Sequence, residues 1–165
     1  MLTKNKTTLT AEPGKQEVLI TREFEAPRHL VFKAFTDANL YARWVGPCML
    51  KMRIDKFELY SGGSWSYVSI DQSGNEFGFH GVNHEVTAPE RIIGTMEFDG
   101  LPEKGHVVLE TVRFKELPGS RTQVTVHSVF QSVADRDGMV GAGMEYGVRE
   151  SHEKLDELIE AGGLQ

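Results

Sequence analysis

Hydrophobic and polar positions change their period along this chain. From Glu17 to Glu25 (EVLITREFE) β-forming residues alternate with polar ones over part of the stretch, which predicts a first strand. Pro27 suits a first helical turn, and behind it Leu30, Val31, Ala34 and Phe35 fall at helical spacing. Asp37 is placed to cap a second short helix, Ala38 to Trp44, which Gly46-Pro47 stops. Further strands are predicted at 49–59, 64–70, 76–86, 91–98, 107–115 and 121–131, set apart by turn residues such as Ser61-Gly62-Gly63 and Leu117-Pro118-Gly119-Ser120. Successive hairpins of this kind make an antiparallel meander.

From Gly138 to Ala161 the spacing becomes that of one long helix, about 24 residues and roughly 36 Å. Its apolar stripe is Val140, Met144, Val148, Leu155, Leu158 and Ile159, with Gly147 and Ser151 inside it. Glu145, Arg149, Glu153, Lys154, Asp156, Glu157 and Glu160 make the opposite, polar face. Gly141, Gly143 and Gly147 crowd the first half, where each interior glycine costs about 1 kcal/mol relative to alanine. The Leu and Ile half should anchor the helix on the sheet. The Gly, Met and Ser half should border a hollow between helix and sheet. Residues 1–14, rich in Thr and Lys and ending in Pro13-Gly14, read as a disordered N-terminal arm before a single domain at 15–163.

Composition narrows the function. The net charge is −6, and Lys and Arg form no cluster, which argues against nucleic acid and anionic membrane surfaces. No apolar run approaches the roughly 20 residues of a membrane span, and Met1 to Lys15 lacks the apolar stretch of a secretory signal. The lone Cys48 permits no internal disulfide, fits a cytoplasmic location, and reads as a structural thiol rather than a nucleophile.

Candidate chemistry is sparse. His80 and His84 have the i, i+4 spacing of a metal pair on a helix, but on a strand four residues extend about 13 Å, so neither a metal nor another cofactor is expected. His80 and His127 are candidate polar groups in the pocket, and with Glu85 or Glu110 nearby one of them could act as acid or base. Asp37, Glu76, Asp99 and Glu110 offer no carboxylate pair of the glycosidase kind. Trp65 and Tyr67 share a strand face, and Ser69 on the same face leaves its direction open.

The stretches EAPRHLVFKAFTDANLYARWVGP (25–47), SGGSW (61–65), DQSGNEF (71–77), HGVNHEVTAPERI (80–92) and GMEYGVRESHEKLDEL (143–158) occur in that order. Together they resemble the START-like (helix-grip, SRPBCC) superfamily, in the branch named after the activator of the heat-shock protein 90 ATPase. The resemblance implies an α+β helix-grip fold: a curved antiparallel sheet of six to seven strands around a long C-terminal helix, with two short helices after the first strand. It also implies a cavity for a small apolar or amphipathic ligand. The family motif often has Arg after the aromatic residue that follows Gly-Gly; here that residue is Ser66. The expected lining is Trp65, Tyr67, Phe79, Met144, Gly147, Val148 and Ser151, with His80 and His127 as the polar groups. Non-catalytic binding is the favoured reading. A cyclase or dehydratase using His80 or His127, and a co-chaperone touching heat-shock protein 90, are the alternatives. An exposed sheet edge leaves room for a homodimer.

Overall fold

The computed structural model describes residues 5–165. Its elements run Thr8–Thr10 (β1), Glu17–Phe24 (β2), Arg28–Thr36 (α1), Ala38–Trp44 (α2), Lys51–Phe57 (β3), Ser64–Ile70 (β4), Glu76–Thr87 (β5), Arg91–Phe98 (β6), Val107–Leu117 (β7), Arg121–Val129 (β8), Val133–Gly141 (α3) and Met144–Glu160 (α4). All strands form one eight-stranded sheet in the order β1-β2-β8-β7-β6-β5-β4-β3, and every neighbouring pair is antiparallel. This is the α+β helix-grip arrangement that the sequence implies, with more strands than the six to seven expected.

Strand alternation decides which face meets the helices. In β2, Val18, Ile20, Arg22 and Phe24 are buried, and the residues between them are not. Register carries the same inner face through Thr122, Val124 and Ser128 of β8 and Val108 and Phe114 of β7. Register shifts between Ile54 and Lys56 and between Asn83 and Glu85 insert extra residues. Such bulges bend strands and increase their twist, which helps the sheet curl. Asp37 does cap α2, its side chain accepting from the Leu40 N–H at 3.1 Å.

Two apolar clusters fill the inner side. One joins α1, α2 and the C-terminal part of α4 to the sheet through Phe24, Phe32, Trp44, Phe114 and Leu155. The other joins β2, β7 and the segment after β8 through Val18, Ile20, Val108 and Phe130, with Met139, Val140, Met144 and Val148 packed against it.

Three expectations are corrected. First, the N-terminal arm is not disordered over its described part. Thr8–Thr10 pair with Leu19–Thr21 of β2, Leu9 and Ala11 pack on the second cluster, and the buried Arg136 donates to the Glu12 carbonyl at 2.8 Å. Residues 1–4 lie outside the described residues. Second, the single helix from Gly138 to Ala161 is two. Its N-terminal piece starts earlier, at Val133, where Ser132 accepts from the Asp135 N–H. The break falls at Ala142-Gly143, because Gly143 has φ +94, a left-handed value that ends one helix and lets the next set off in another direction. Third, Asp156 is buried rather than on a solvated face, and His152 one turn before it is buried as well. Asp156 takes two hydrogen bonds from the buried Arg22 of β2, Nη1 to Oδ1 at 3.1 Å and Nη2 to Oδ2. His152 bonds Thr7 through Nδ1 at 2.7 Å and meets the Phe24 ring edge-on.

The helix break gives a paired expectation. Gly143→Ala should lower stability by about 1 kcal/mol, because alanine disfavours a positive φ. Gly138→Ala should raise it by about 0.5–1 kcal/mol, since a Cβ there meets nothing within 4 Å. Urea unfolding of both variants checks the signs.

Burial, and secondarily the Arg22 charge, push the His152 imidazole down from 6.5 to about 3. Between those values the unfolded chain binds a proton that the folded chain excludes. His152 therefore contributes stability that is fully present above pH 6.5 and declines as pH falls, by up to about 1.4 kcal/mol per pH unit. The stability difference between wild type and His152→Gln, measured by urea unfolding from pH 7.5 to 5, should shift against wild type on acidification. A constant difference would contradict a neutral buried imidazole.

Candidate ligand cavity

Strand β4 sets the inner wall. Trp65, Tyr67 and the buried Ser69 point inward, because Trp65 pairs with Gly81, Tyr67 with Phe79 and Ser69 with Phe77 in β5, whose residues 79, 81 and 83 face the core. Across the sheet the rings form a ladder. Trp65 stacks on Tyr67 with centroids 5.6 Å apart, Tyr67 on Phe79 at 5.2 Å, and Phe79 meets Phe98 of β6 at 5.1 Å. Gly81 makes the ladder feasible: a Cβ there would lie 1.9 Å from the Thr95 carbonyl oxygen and 2.8 Å from Trp65 Cε2.

Two hollows lie on this inner face, one toward each end of the ladder. The larger, about 490 Å³, lies between the inner sheet face, α3 and the loop joining β6 to β7. Met96, Phe98, Val108, Phe130 and Met139 give it an apolar wall. Its volume falls within the roughly 300–1,000 Å³ of small-molecule sites. One polar feature stands on its lining: His106 Nδ1 bonds Asp135 Oδ2 at 2.9 Å, with Glu103 Oε1 3.6 Å from Nε2. The hydrogen bond and charge of Asp135 raise the His106 pKa. The overhang of α3 is held from its other side, where Arg136 donates to the Glu17 and Glu12 carbonyls.

The smaller hollow, about 100 Å³, is an aromatic chamber bounded by Phe35, Tyr41, Phe57 and Trp65, with Glu110 in its wall. Val108 lines the large cavity and Glu110 the small one, so the two adjoin along β7 at successive inward positions about 7 Å apart. Glu110 Oε2 accepts from Ser128 Oγ at 3.1 Å, and burial raises the Glu110 pKa. Burial first, then the Tyr67 group and then the Glu110 charge raise the Tyr41 pKa, and burial followed by the Glu110 charge raises that of Tyr67.

The expected lining residues divide. Trp65 lines the chamber, and Tyr67 and Phe79 stand in the ladder between the hollows. Met144 and Val148 pack on the second apolar cluster instead of lining either hollow. A Cβ built on Gly147 would lie 3.8 Å from Pro47 Cγ, so this position faces the turn after α2, and Ser151 holds that turn by accepting from the Gly46 N–H at 2.8 Å. The part of the expected helix that borders the cavity is its first turn, Gly138, Met139 and Ala142, now part of α3 and its cap. His80 and His127 are on the outer face. His80 bonds Asp99 at 2.6 Å with its side chain 49% exposed, and His127 bonds Glu17 at 2.8 Å with its side chain 43% exposed. Strand parity turns both away from the ladder. Ser66, paired with His80, shares that outer face, so an Arg at this position would not reach the cavity. Sequence reading missed His106 and Asp135; the Ser132–Asp135 capping pattern was the available signal for a helix starting there.

A family model described as Activator of Hsp90 ATPase homolog 1-like protein matches residues 25–160. The chain belongs to this family. Among solved structures, this family member is similar to a Rhodobacter sphaeroides protein with 22% identity, covering 94% of this chain and 99% of that one at a TM-score of 0.84. It is also similar to an Arthrobacter aurescens protein with 25% identity, covering 93% and 91% at a TM-score of 0.84. DynU16, a protein in the dynemicin biosynthetic locus, is 20% identical over 90% of this chain and 48% of that one, with a TM-score of 0.68. No curated protein matches the sequence. Among the described residues, no helix of this family member is long and apolar enough to cross a membrane.

The close approach at Gly81 is testable. Gly81→Ala forces the backbone or Trp65 to move and should cost about 1–3 kcal/mol. Urea unfolding should show that loss and near-ultraviolet circular dichroism a changed aromatic signal; unchanged spectra and stability would contradict the ladder geometry.

Proposed function

We propose that this protein binds a small apolar or amphipathic molecule, in the cytoplasm, between α3 and the inner face of the sheet. The observation that carries the reading is the cavity of about 490 Å³, walled by Met96, Phe98, Val108, Phe130 and Met139 with a single His–Asp pair on its lining. Protein interiors are close-packed, and an apolar hollow of this size forgoes the contacts that its wall would otherwise make. A ligand restores those contacts and removes its own apolar surface from water, at about 25 cal/mol per Å². The family fold is compatible with ligand binding and with polyketide cyclase-like roles. Binding is favoured over a cyclase that uses His80 or His127, because both rings lie on the sheet face opposite the cavity.

Native mass spectrometry of protein purified from its own host weighs any retained molecule directly. A titration with the neutral fluorophore N-phenyl-1-naphthylamine tests the site itself. Gly138 lines the cavity, and a Cβ there meets no atom within 4 Å, so Gly138→Phe starts a bulky side chain at the wall from open space. That variant should keep its fold and bind the fluorophore at least about tenfold more weakly, a loss of about 1.4 kcal/mol. Equal affinity in wild type and variant would contradict this site.

A further inference from the structure

The large cavity is graded from an apolar floor to a charged mouth. Val108 and Phe130 form the floor and are buried. The exposed members of its lining are Leu101, Pro102 and Glu103 from the loop joining β6 to β7, and Ala134, Gly138 and Ala142 from α3 and its cap. The mouth therefore lies between that loop and α3. The charged and titratable side chains of the lining, Glu103, His106 and Asp135, all stand there. His106 ties the end of the loop to α3 through Asp135 at 2.9 Å, and Glu103 Oε1 lies 3.6 Å from its Nε2.

We infer that the cavity takes an amphipathic cation, its apolar body on the floor beneath α3 and its ammonium group at the mouth beside Glu103 and Asp135. This assignment rests on the cavity reading above and names the polar end that the cavity selects. Among the described residues no Lys or Arg belongs to the lining. Lys104 turns to the Asp99 carbonyl at 2.6 Å, and Arg136 turns to the Glu12 and Glu17 carbonyls. Behind the loop Glu97 adds a further carboxylate, accepting from the Gly105 N–H at 2.8 Å. Two carboxylates against one imidazole leave the mouth negative whether or not His106 carries a proton, so the sign of the field does not depend on how that ring titrates. An ammonium group at the mouth keeps water on its open side and avoids the cost of deep burial. It is attracted by both carboxylates, and a ligand carboxylate in the same place is repelled.

Three probes of equal chain length test the assignment: decylamine, 1-decanol and decanoate. Each competes with N-phenyl-1-naphthylamine near neutral pH and below its micelle concentration. Wild type should bind decylamine at least about tenfold more tightly than decanoate, with 1-decanol between them. The Glu103 side chain is 83% exposed, so Glu103→Gln leaves the core alone, and it should reduce that ratio about threefold. His106→Gln should keep the ratio or widen it, because it removes the one lining group among the described residues that can be positive. Glu153→Gln makes the same charge change at an exposed position of α4 away from the lining, and should leave the ratio unchanged. Equal binding of decylamine and decanoate by wild type would overturn the inference and leave the cavity standing. A loss as large in Glu153→Gln as in Glu103→Gln would do the same, since net charge alone would then explain the preference. Tighter binding of decanoate, lost in His106→Gln, would make the imidazole an anchor for anions and overturn the inference as well. Displacement of the fluorophore by none of the three probes would also overturn it. Failure of the fluorophore to bind wild type would remove the cavity reading and this inference with it.

Discussion

The buried pair of Arg22 and Asp156 holds the architecture in place. Arg22 comes from the inner face of β2 and Asp156 from α4, and each is less than 5% exposed. A charge that deep is tolerated only when paired, and removing one partner from such a pair costs about 3–5 kcal/mol. The pair therefore ties one turn of α4 to one strand. Leu155 and Leu158 pack beside it, His152 takes a hydrogen bond with Thr7 one turn earlier, and Ser151 receives the Gly46 N–H. With α4 fixed at its C-terminal half, the chain between Phe130 and Met144 must bridge the remaining width of the sheet. It does so as a separate helix, α3, pinned on one side by Arg136 and released from α4 by the positive φ of Gly143. The large cavity is the space that α3 leaves over the sheet.

That division of labour sets a gradient across the inner face. Tight packing surrounds Leu155 and Phe24, where both are fully buried. Packing loosens toward α3, where Met139 and the exposed Gly138 replace Leu and Ile. Stability comes from the first region, and binding is proposed for the second. Glu110 lines the small aromatic chamber at the other end of the ladder. The outer face carries charged and histidine pairs such as His80–Asp99 and His127–Glu17, which solvent screens.

How much of this was legible in the sequence follows from the range of the forces involved. Strand positions were legible because turn residues and alternation are local: the third predicted strand, Ser64 to Ile70, coincides with β4. The Asp37 cap of α2 was legible for the same reason. The family likeness was legible because its words lie in order along the chain, and the family match spans residues 25–160. Three features depend on distant contacts and were not legible. Thr8–Thr10 become a strand only because the β2 edge is there to pair with. Asp156 fits the polar face of α4 by period and is buried only because Arg22 waits on the sheet. The glycines before α4 were read as a thinned helix face, whereas Gly143 is a break. The lining residues placed on that helix moved with it. Strand parity would have put His80 outside once Trp65 and Tyr67 were known to be inside, but Ser69 on the same face hid the direction.

The central claim is physical: an apolar hollow lies between α3 and the inner face of the sheet. A crystal of the protein under xenon pressure tests it most directly, since xenon enters dry apolar space and needs no specific contact. Electron density for xenon is expected among Met96, Phe98, Val108, Phe130 and Met139. Those side chains closed against one another, with no xenon between them, would contradict the claim.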